Sequence, residues 1–145
     1  MDVCPLLVGG GESGRVMGYS GGGVLIKCRY DTQYTSNQKF LCKGPWPGLT
    51  CTDKIKAGVK NKWINSGRFS LFDKTRAAQF WVMIRELTVE DSGTYKCGVY
   101  KSGFDVYTPV ELKVEEGESL TTLHLVITDS LSSDTLYLTF SSLIG

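Results

Sequence analysis

The residues with the widest chemical scope in this 145-residue sequence are five cysteines, since a thiol can bind a metal, attack an electrophile or form a disulfide. They are Cys4, Cys28, Cys42, Cys51 and Cys97. Neither a CxxC pair nor a cysteine–histidine cluster at zinc-binding spacing occurs, so no metal site is predicted. Cys28 and Cys97 enclose about 70 residues and Cys42 and Cys51 about ten, so one long and one short bridge is the natural pairing. Spacing alone nevertheless leaves three connectivities open for these four cysteines. Disulfides on this scale indicate an oxidising compartment.

Catalytic chemistry has little support in the sequence. His124 is the sole histidine and lies in a poorly specified C-terminal part, so neither a serine nor a cysteine has a credible activating partner. The glycine-rich stretch G-G-G-E-S-G does not follow a strand or open a helix, which argues against a phosphate-binding loop. We therefore predict that the protein is not an enzyme and uses no cofactor.

The formal net charge is only +1, and this low value argues against nucleic-acid binding. Positive charge is nevertheless concentrated in one stretch of the sequence. Between residues 39 and 62, six lysines are opposed by Asp53 alone. These are Lys39, Lys43, Lys54, Lys56, Lys60 and Lys62. One interpretation is a patch that attracts anionic lipid headgroups, sialylated glycans or an acidic protein surface. The other, which we prefer, is a solvated face that keeps the domain soluble.

Two aromatic segments are candidate binding loops. Trp46 is flanked by Pro45 and Pro47, and a stiff loop loses little entropy on binding. Trp46 is therefore either an interface anchor or a ring that folds back over a disulfide. The loop 99–107 carries Tyr100, Phe104 and Asp105 beside a flexible glycine. Asp105 is the only acid there, and one carboxylate is a poor calcium site.

The elements that must position these residues are short strands. Alternation of apolar and polar residues begins at Val24, Ile26 and Cys28, and no window has a sustained helical period. The predicted strands cover 15–19, 24–30, 39–43, 68–72, 79–84, 93–99 and 107–114. Turn formers separate them, so the sequence predicts an all-β sandwich or barrel. Within the alternation of strand 79–84, Trp81 falls on the outer face.

The chain is predicted to divide into three parts. Residues 1–14 form a loose, glycine-rich lead-in, residues 15–115 form the β domain, and residues 116–145 form an acidic tail of uncertain structure. The start of the chain does not have the basic n-region and long apolar core of a signal peptide. The charge-free runs of the tail are well short of the roughly 18–20 residues that span a bilayer. We therefore expect no signal peptide or transmembrane segment within this sequence.

The run D-S-G-T-Y-K-C at residues 91–97 resembles the strand-F signature of variable-type immunoglobulin domains. The resemblance implies a two-sheet immunoglobulin V-type sandwich. It also implies that Cys28 bonds Cys97, that Tyr95 forms a tyrosine corner, and that Arg68 pairs with Asp91. The tryptophan usual on strand C is replaced by Leu41 in K-F-L-C-K, so the core has a smaller plug there.

The stretch K-F-L-C-K-G followed by Cys51 resembles the pattern of the polymeric immunoglobulin receptor and the CMRF-type leukocyte receptors. In that group an extra bridge ties strand C to strand C′, which implies a Cys42–Cys51 bond and a free Cys4. The stretches G-G-G-V-L-I-K-C-R-Y and W-I-N-S-G-R-F-S-L-F-D look similar to the novel immunoglobulin-like transcripts of bony fish.

These resemblances imply the ectodomain of an immune-type receptor at the cell surface, or a secreted form of one. It would recognise a protein, anionic lipid or glycan through its loops and its C/C′ face. A full-length membrane form would pair with a signalling adaptor or co-receptor. The alternatives are a soluble decoy that does not signal and a homophilic adhesion module. The predicted ligand-binding residues are Lys43, Trp46, Lys54, Lys56, Lys60, Lys62, Tyr100, Phe104 and Asp105.

Overall fold

The computed structural model describes residues 14–117, which form nine strands and three short 3₁₀ helices. The strands are β1 (Arg15–Tyr19), β2 (Val24–Arg29), β3 (Lys39–Lys43), β4 (Thr52–Ala57), β5 (Trp63–Ser66), β6 (Phe69–Lys74), β7 (Gln79–Ile84), β8 (Gly93–Val99) and β9 (Val106–Glu115). The 3₁₀ helices are Thr32–Tyr34, Thr75–Ala77 and Val89–Asp91. Cys4, His124 and nearly all of the predicted lead-in and tail lie outside the described residues.

The strands form two sheets packed face to face, as the predicted V-type sandwich requires. One sheet has five strands in the order β1-β9-β8-β3-β4, and the other has four in the order β2-β7-β6-β5. All neighbouring strands are antiparallel except β1, which runs parallel to β9. Burying apolar side chains between the sheets is the main stabilising contribution.

The core follows the alternation seen in the sequence. In β2 the buried residues are Val24, Ile26 and Cys28, and in β7 they alternate in the same way. Trp81 lies on the outer face of β7, as its periodicity predicted. Strands β4 and β5 were not predicted from the sequence, because they lie at sheet edges and most of their side chains face solvent, which leaves no clear apolar–polar alternation.

Both predicted disulfides are present. Cys28–Cys97 links β2 to β8 across the two sheets, with Cα atoms 6.0 Å apart. Cys42–Cys51 links the end of β3 to the residue before β4, with Cα atoms 5.5 Å apart. Leu41 occupies the expected place in the core, fully buried and paired with Cys97 in the β3–β8 ladder.

The turn before β8 is held by two side-chain contacts. The Tyr95 hydroxyl donates a hydrogen bond of 2.6 Å to the carbonyl oxygen of Asp91, and burial raises the pKa of Tyr95 to about 12. Arg68 donates two hydrogen bonds, of 2.8 and 2.9 Å, to the Asp91 carboxylate. This pairing lowers the pKa of Asp91 to about 2. The carboxylate also accepts the backbone N–H of Thr88 at 2.9 Å and so caps the 3₁₀ turn.

We expect Tyr95→Phe to lower the free energy of unfolding by roughly 1–2 kcal/mol, because the buried Asp91 carbonyl loses its hydroxyl donor. Urea melts monitored by tryptophan fluorescence measure the change. Tyr19→Phe is the matched control, since Tyr19 is about half exposed, and its effect should stay within about 0.5 kcal/mol. Equal midpoints for wild type and Tyr95→Phe would contradict the stabilising role of this hydrogen bond.

Candidate functional site

The outer face of the five-stranded sheet, together with the two loops above it, forms the candidate site. The first loop spans 44–51 and is closed by the Cys42–Cys51 bridge. Gly44 is required there, because a Cβ at this position would lie 2.1 Å from the carbonyl oxygen of Thr50. The second loop spans 100–105 and connects β8 to β9. The two loops leave the sheet at opposite ends, since Lys43 pairs with Tyr95 and Lys39 with Val99 in the β3–β8 ladder. Loop 44–51 folds back over the sheet, where Lys96 on β8 holds it, so Leu49 and Tyr100 border the same depression.

A small depression of ≈ 80 Å³ lies between these loops and the sheet. Its lining includes Phe40, Leu49, Asp53, Lys56, Tyr100, Asp105 and Tyr107. The ring of Phe40 packs edge-on against Tyr107, with centroids 5.8 Å apart, and lies directly over Gly98. A Cβ on Gly98 would come within 2.1 Å of that ring. Because glycine has no Cβ, the Phe40 ring can lie over this position and form the floor of the depression.

The rim of the depression has two accessible apolar side chains, Leu49, which is 93% exposed, and Tyr100, which is 55% exposed. Phe104, which is 71% exposed, lies on the same loop as Tyr100. Exposed large apolar side chains gathered on one surface are typical of an interaction site, whereas single ones are ordinary. Sequence reasoning identified Tyr100 and Phe104 but missed Leu49, whose place in a short loop directly after the glycine- and proline-rich run 44–48 gave no signal.

Charged groups in the depression have both signs. Lys56 pairs with Asp53 at 3.4 Å, and its Nζ lies 5.9 Å from the centroid of the Tyr100 ring. Asp105 accepts hydrogen bonds from the Lys101 backbone N–H at 3.3 Å and from the Tyr107 hydroxyl at 3.4 Å. The Asp105 carboxylate thus braces its own loop. Within residues 14–117 no group of three acidic, cysteine or histidine side chains could hold a metal.

Trp46 is half exposed and lies beside a buried lysine that sequence reasoning missed. Lys96 is fully buried, and its Nζ donates a hydrogen bond of 2.6 Å to the carbonyl oxygen of Gly48. That Nζ also lies 5.2 Å from the Tyr107 ring centroid and 5.9 Å from the Trp46 centroid. Lys96 on β8 therefore ties the 44–51 loop to the sheet through the hydrogen bond to Gly48 and the cation–π contact with Trp46.

The lysine-rich stretch does not form one surface, which corrects its interpretation as a single cationic patch. Lys39 is fully buried and pairs with Asp73 on β6 at 2.8 Å. Lys60 reaches the same carboxylate oxygen at 3.0 Å. Lys43 lies by the tyrosine corner, where its Nζ donates to the carbonyl oxygen of Glu90 at 2.9 Å. The remaining lysines of the stretch are Lys54, Lys56 and Lys62, and Lys56 forms an ion pair with Asp53.

The cause of this division is a buried polar cluster between the sheets. Asp73 accepts hydrogen bonds from the Lys39 and Lys60 ammonium groups and from the Tyr30 hydroxyl, the last at 2.7 Å. Lys39 also donates to the backbone carbonyls of Thr35 and Asn37. Burial lowers the pKa of Lys39 to about 8, against the opposing effect of Asp73. Burial and the Asp73 contact raise the pKa of Tyr30.

The fold is that of a variable-type immunoglobulin domain. It has nine strands in two packed sheets, with β1 parallel to β9, a disulfide between the sheets and a tyrosine corner. The chain belongs to the immunoglobulin V-set domain family, whose model matches residues 11–115.

Among curated proteins, the chain is similar to CMRF35-like molecule 7 of mouse, with 35% identity over 68% of this chain and 47% of that protein. It is also similar to mouse CMRF-35-like molecule 4, with 31% identity over 71% of this chain and 47% of that protein. The chain thus spans about half the length of these relatives. None of the helices within residues 14–117 is long and apolar enough to cross a membrane.

Among solved structures, the second immunoglobulin domain of the mouse polymeric immunoglobulin receptor is similar, with 29% identity and a TM-score of 0.58. The match covers 72% of this chain and 97% of that domain. The NK cell receptor NKp44 has the same fold at 22% identity and a TM-score of 0.57, with 70% of this chain and 98% of that chain covered.

Proposed function

We propose that this domain is the ligand-recognition module of an immune-type receptor ectodomain, and that its ligand is a protein. The observation that carries the proposal is the pair of accessible apolar side chains, Leu49 and Tyr100, that border the depression on the five-stranded sheet, with exposed Phe104 on the same loop as Tyr100. The similarity to the CMRF35-like molecules and to the polymeric immunoglobulin receptor domains supports a receptor role.

A protein ligand fits this surface better than an anionic lipid or glycan does. Protein interfaces combine a few exposed aromatic or aliphatic anchors with a polar rim of mixed charge. The depression has that composition, since Lys56 stands beside Asp53 and Asp105 braces the neighbouring loop. Two of the lysines predicted to attract anions, Lys43 and Lys60, instead bond to groups of the domain itself.

The fixed geometry of the two loops also favours recognition. Loop 44–51 is closed by a disulfide and held to the sheet by Lys96, so little conformational entropy remains to be lost on binding. Trp46 lies on the same loop and is about half exposed. We therefore expect Leu49, Tyr100 and Phe104 to act as binding anchors, with Trp46 at the periphery.

The proposal predicts that the double variant Leu49→Ser, Tyr100→Ser lowers binding by about tenfold or more, because anchor residues carry most of the binding energy of an interface. The measurement is flow cytometry of biotinylated chain, assembled on streptavidin, against a panel of cells from the species of origin. Val89→Ser is the control, since Val89 is an exposed apolar residue beside the tyrosine corner, and it should bind as wild type does.

Trypsin treatment of the cells distinguishes a ligand carried on protein from a lipid ligand. If the ligand is a protein, trypsin treatment should abolish the staining. Staining that survives trypsin would contradict a protein ligand and direct attention to lipid. Full binding by the Leu49→Ser, Tyr100→Ser variant, with its fold verified by circular dichroism, would show that the depression is not the binding site.

A further inference from the structure

The outer face of the four-stranded sheet carries a row of side chains that crosses all four strands. Lys27 on β2 is the direct cross-strand partner of Trp81 on β7, Trp81 of Phe72 on β6, and Phe72 of Trp63 on β5. Strand alternation points these four residues away from the core. This surface lies on the opposite sheet from the candidate site described above.

The three aromatic rings of the row are in contact. Phe72 and Trp81 stack with centroids 5.9 Å apart at an interplanar angle of 28°, and Trp63 and Phe72 lie 5.3 Å apart. The indole N–H of Trp81 donates to the Gln79 side chain at 2.8 Å, which fixes the ring. Trp63 is 41% exposed. The sheet therefore presents an ordered aromatic strip to solvent.

Cations accompany this strip. The Nζ of Lys74 lies 4.8 Å from the Trp81 ring centroid, and the Nζ of Lys27 lies 5.3 Å from it. Arg76 is exposed on the adjoining 3₁₀ helix Thr75–Ala77. Within residues 14–117 no carboxylate forms an ion pair with any of these three side chains. Asp73 on the same strand points inward and is occupied by the buried lysines.

Four of these residues, Phe72, Trp81, Lys74 and Arg76, line a wide, shallow depression of ≈ 720 Å³ together with Asn61 and Ala77. Its volume is in the range of small-ligand sites. The turn that carries Arg76 is held in place, because the Asn61 side-chain oxygen accepts the Thr75 backbone N–H at 3.2 Å. The Asn61 backbone N–H in turn donates to the carbonyl oxygen of Asp73 at 2.9 Å.

We propose that this face, formed by Trp63, Phe72, Trp81, Lys27, Lys74 and Arg76 and called here the aromatic–cationic face, binds an anionic oligosaccharide. A pyranose ring presents polarised C–H groups that stack on the electron-rich face of an aromatic ring. Sulfate or carboxylate substituents on the sugar pair with ammonium and guanidinium groups. The depression offers both kinds of contact side by side, and its lining has no acidic residue to repel the ligand.

The test uses the full chain and a heparin-derived hexasaccharide in isothermal titration calorimetry. The triple variant K27S/K74S/R76S should weaken binding by at least about tenfold, since three exposed ion pairs are lost. The control R15S/K54S/K113S removes the same types of charge from strands of the five-stranded sheet and should stay within about twofold of wild type. Equal losses in the two triple variants would overturn the proposal, because they would indicate attraction by net charge alone.

A second pair of variants tests the aromatic contribution. Trp63→Ser should weaken hexasaccharide binding by about fivefold, whereas Trp46→Ser, which removes a similarly exposed indole from loop 44–51, should leave it unchanged. A hexamer of glutamate serves as the acidic-peptide probe. If it binds as tightly as the hexasaccharide and Trp63→Ser has no effect, the site recognises acidic peptide and the glycan proposal is wrong.

Two further ligands define the sugar chemistry. A neutral gluco-hexasaccharide should not bind, and equal binding of it would contradict the role of the three cations. A hyaluronan hexasaccharide carries carboxylates but no sulfates. If it binds as the heparin fragment does, the site accepts any anionic glycan, and if it does not bind, the site requires sulfate. The Leu49→Ser, Tyr100→Ser variant should bind the heparin fragment as wild type does, so failure of the protein-ligand proposal leaves this result unaffected.

Discussion

Replacing Asp73 by asparagine is expected to destabilise the domain by about 3–5 kcal/mol at pH 7, the largest effect of a single substitution that we predict. The Lys39 ammonium is fully buried and has Asp73 as its carboxylate partner at 2.8 Å. An amide cannot balance that charge, so Lys39 must either remain a buried cation without a counter-ion or give up its proton, and both alternatives cost free energy. Urea unfolding followed by fluorescence measures the loss.

Two further variants separate the buried charge from general damage. Lys39→Met combined with Asp73→Asn removes both charges and should recover part of the lost stability, because a buried ion pair is often replaceable by apolar packing. Asp53→Asn breaks an exposed pair with Lys56 and should cost no more than about 1 kcal/mol. An Asp73→Asn variant within 1 kcal/mol of wild type would mean that Lys39 readily finds another partner or solvent.

Removing the inter-sheet disulfide by Cys28→Ala, Cys97→Ala is expected to cost about 4 kcal/mol, because an unfolded chain released from a closed loop of 69 residues gains conformational entropy. This is a large part of the total stability of a small domain. Urea melts under non-reducing conditions, on protein with verified secondary structure, provide the value.

The second bridge is the matched comparison. Cys42→Ala, Cys51→Ala opens a loop of nine residues and should cost less, about 2.5 kcal/mol, by the same entropic relation. It should also weaken ligand binding, since Leu49 lies within that loop. An order of stability losses opposite to this one would contradict the chain-entropy account of both bridges.

Much of the fold was predictable because its signals are local. The alternation of Val24, Ile26 and Cys28 has the period of a strand, and a half-buried strand needs a partner sheet. The D-S-G-T-Y-K-C run indicated the tyrosine corner and the partners of Cys28 and Arg68 through its resemblance to variable-type domains. Strands β4 and β5 gave weaker signals, since an edge strand buries few of its side chains.

The binding surfaces were only partly predictable. Tyr100 and Phe104 were identified because they lie in a loop between two strands, where binding residues are concentrated, and both are exposed. Leu49 was missed, because nothing in the sequence distinguishes an exposed leucine from a core leucine in a short loop. Lys96 was missed because a lysine between Tyr95 and Cys97 is expected to face solvent, whereas the 44–51 loop covers it.

The sequence by itself determined seven of the nine strands, the sandwich class and, through resemblance to a family, the two disulfides. Only the tertiary structure decided which charges are free and which aromatic residues meet. Lys39 is buried because Asp73 lies opposite it, 34 residues away, and no local pattern encodes such a contact. Lys27, Trp81, Phe72 and Trp63 form one row because strand register aligns them across four strands. Register depends on long-range pairing, so a surface built across strands becomes visible only when the sheet is formed.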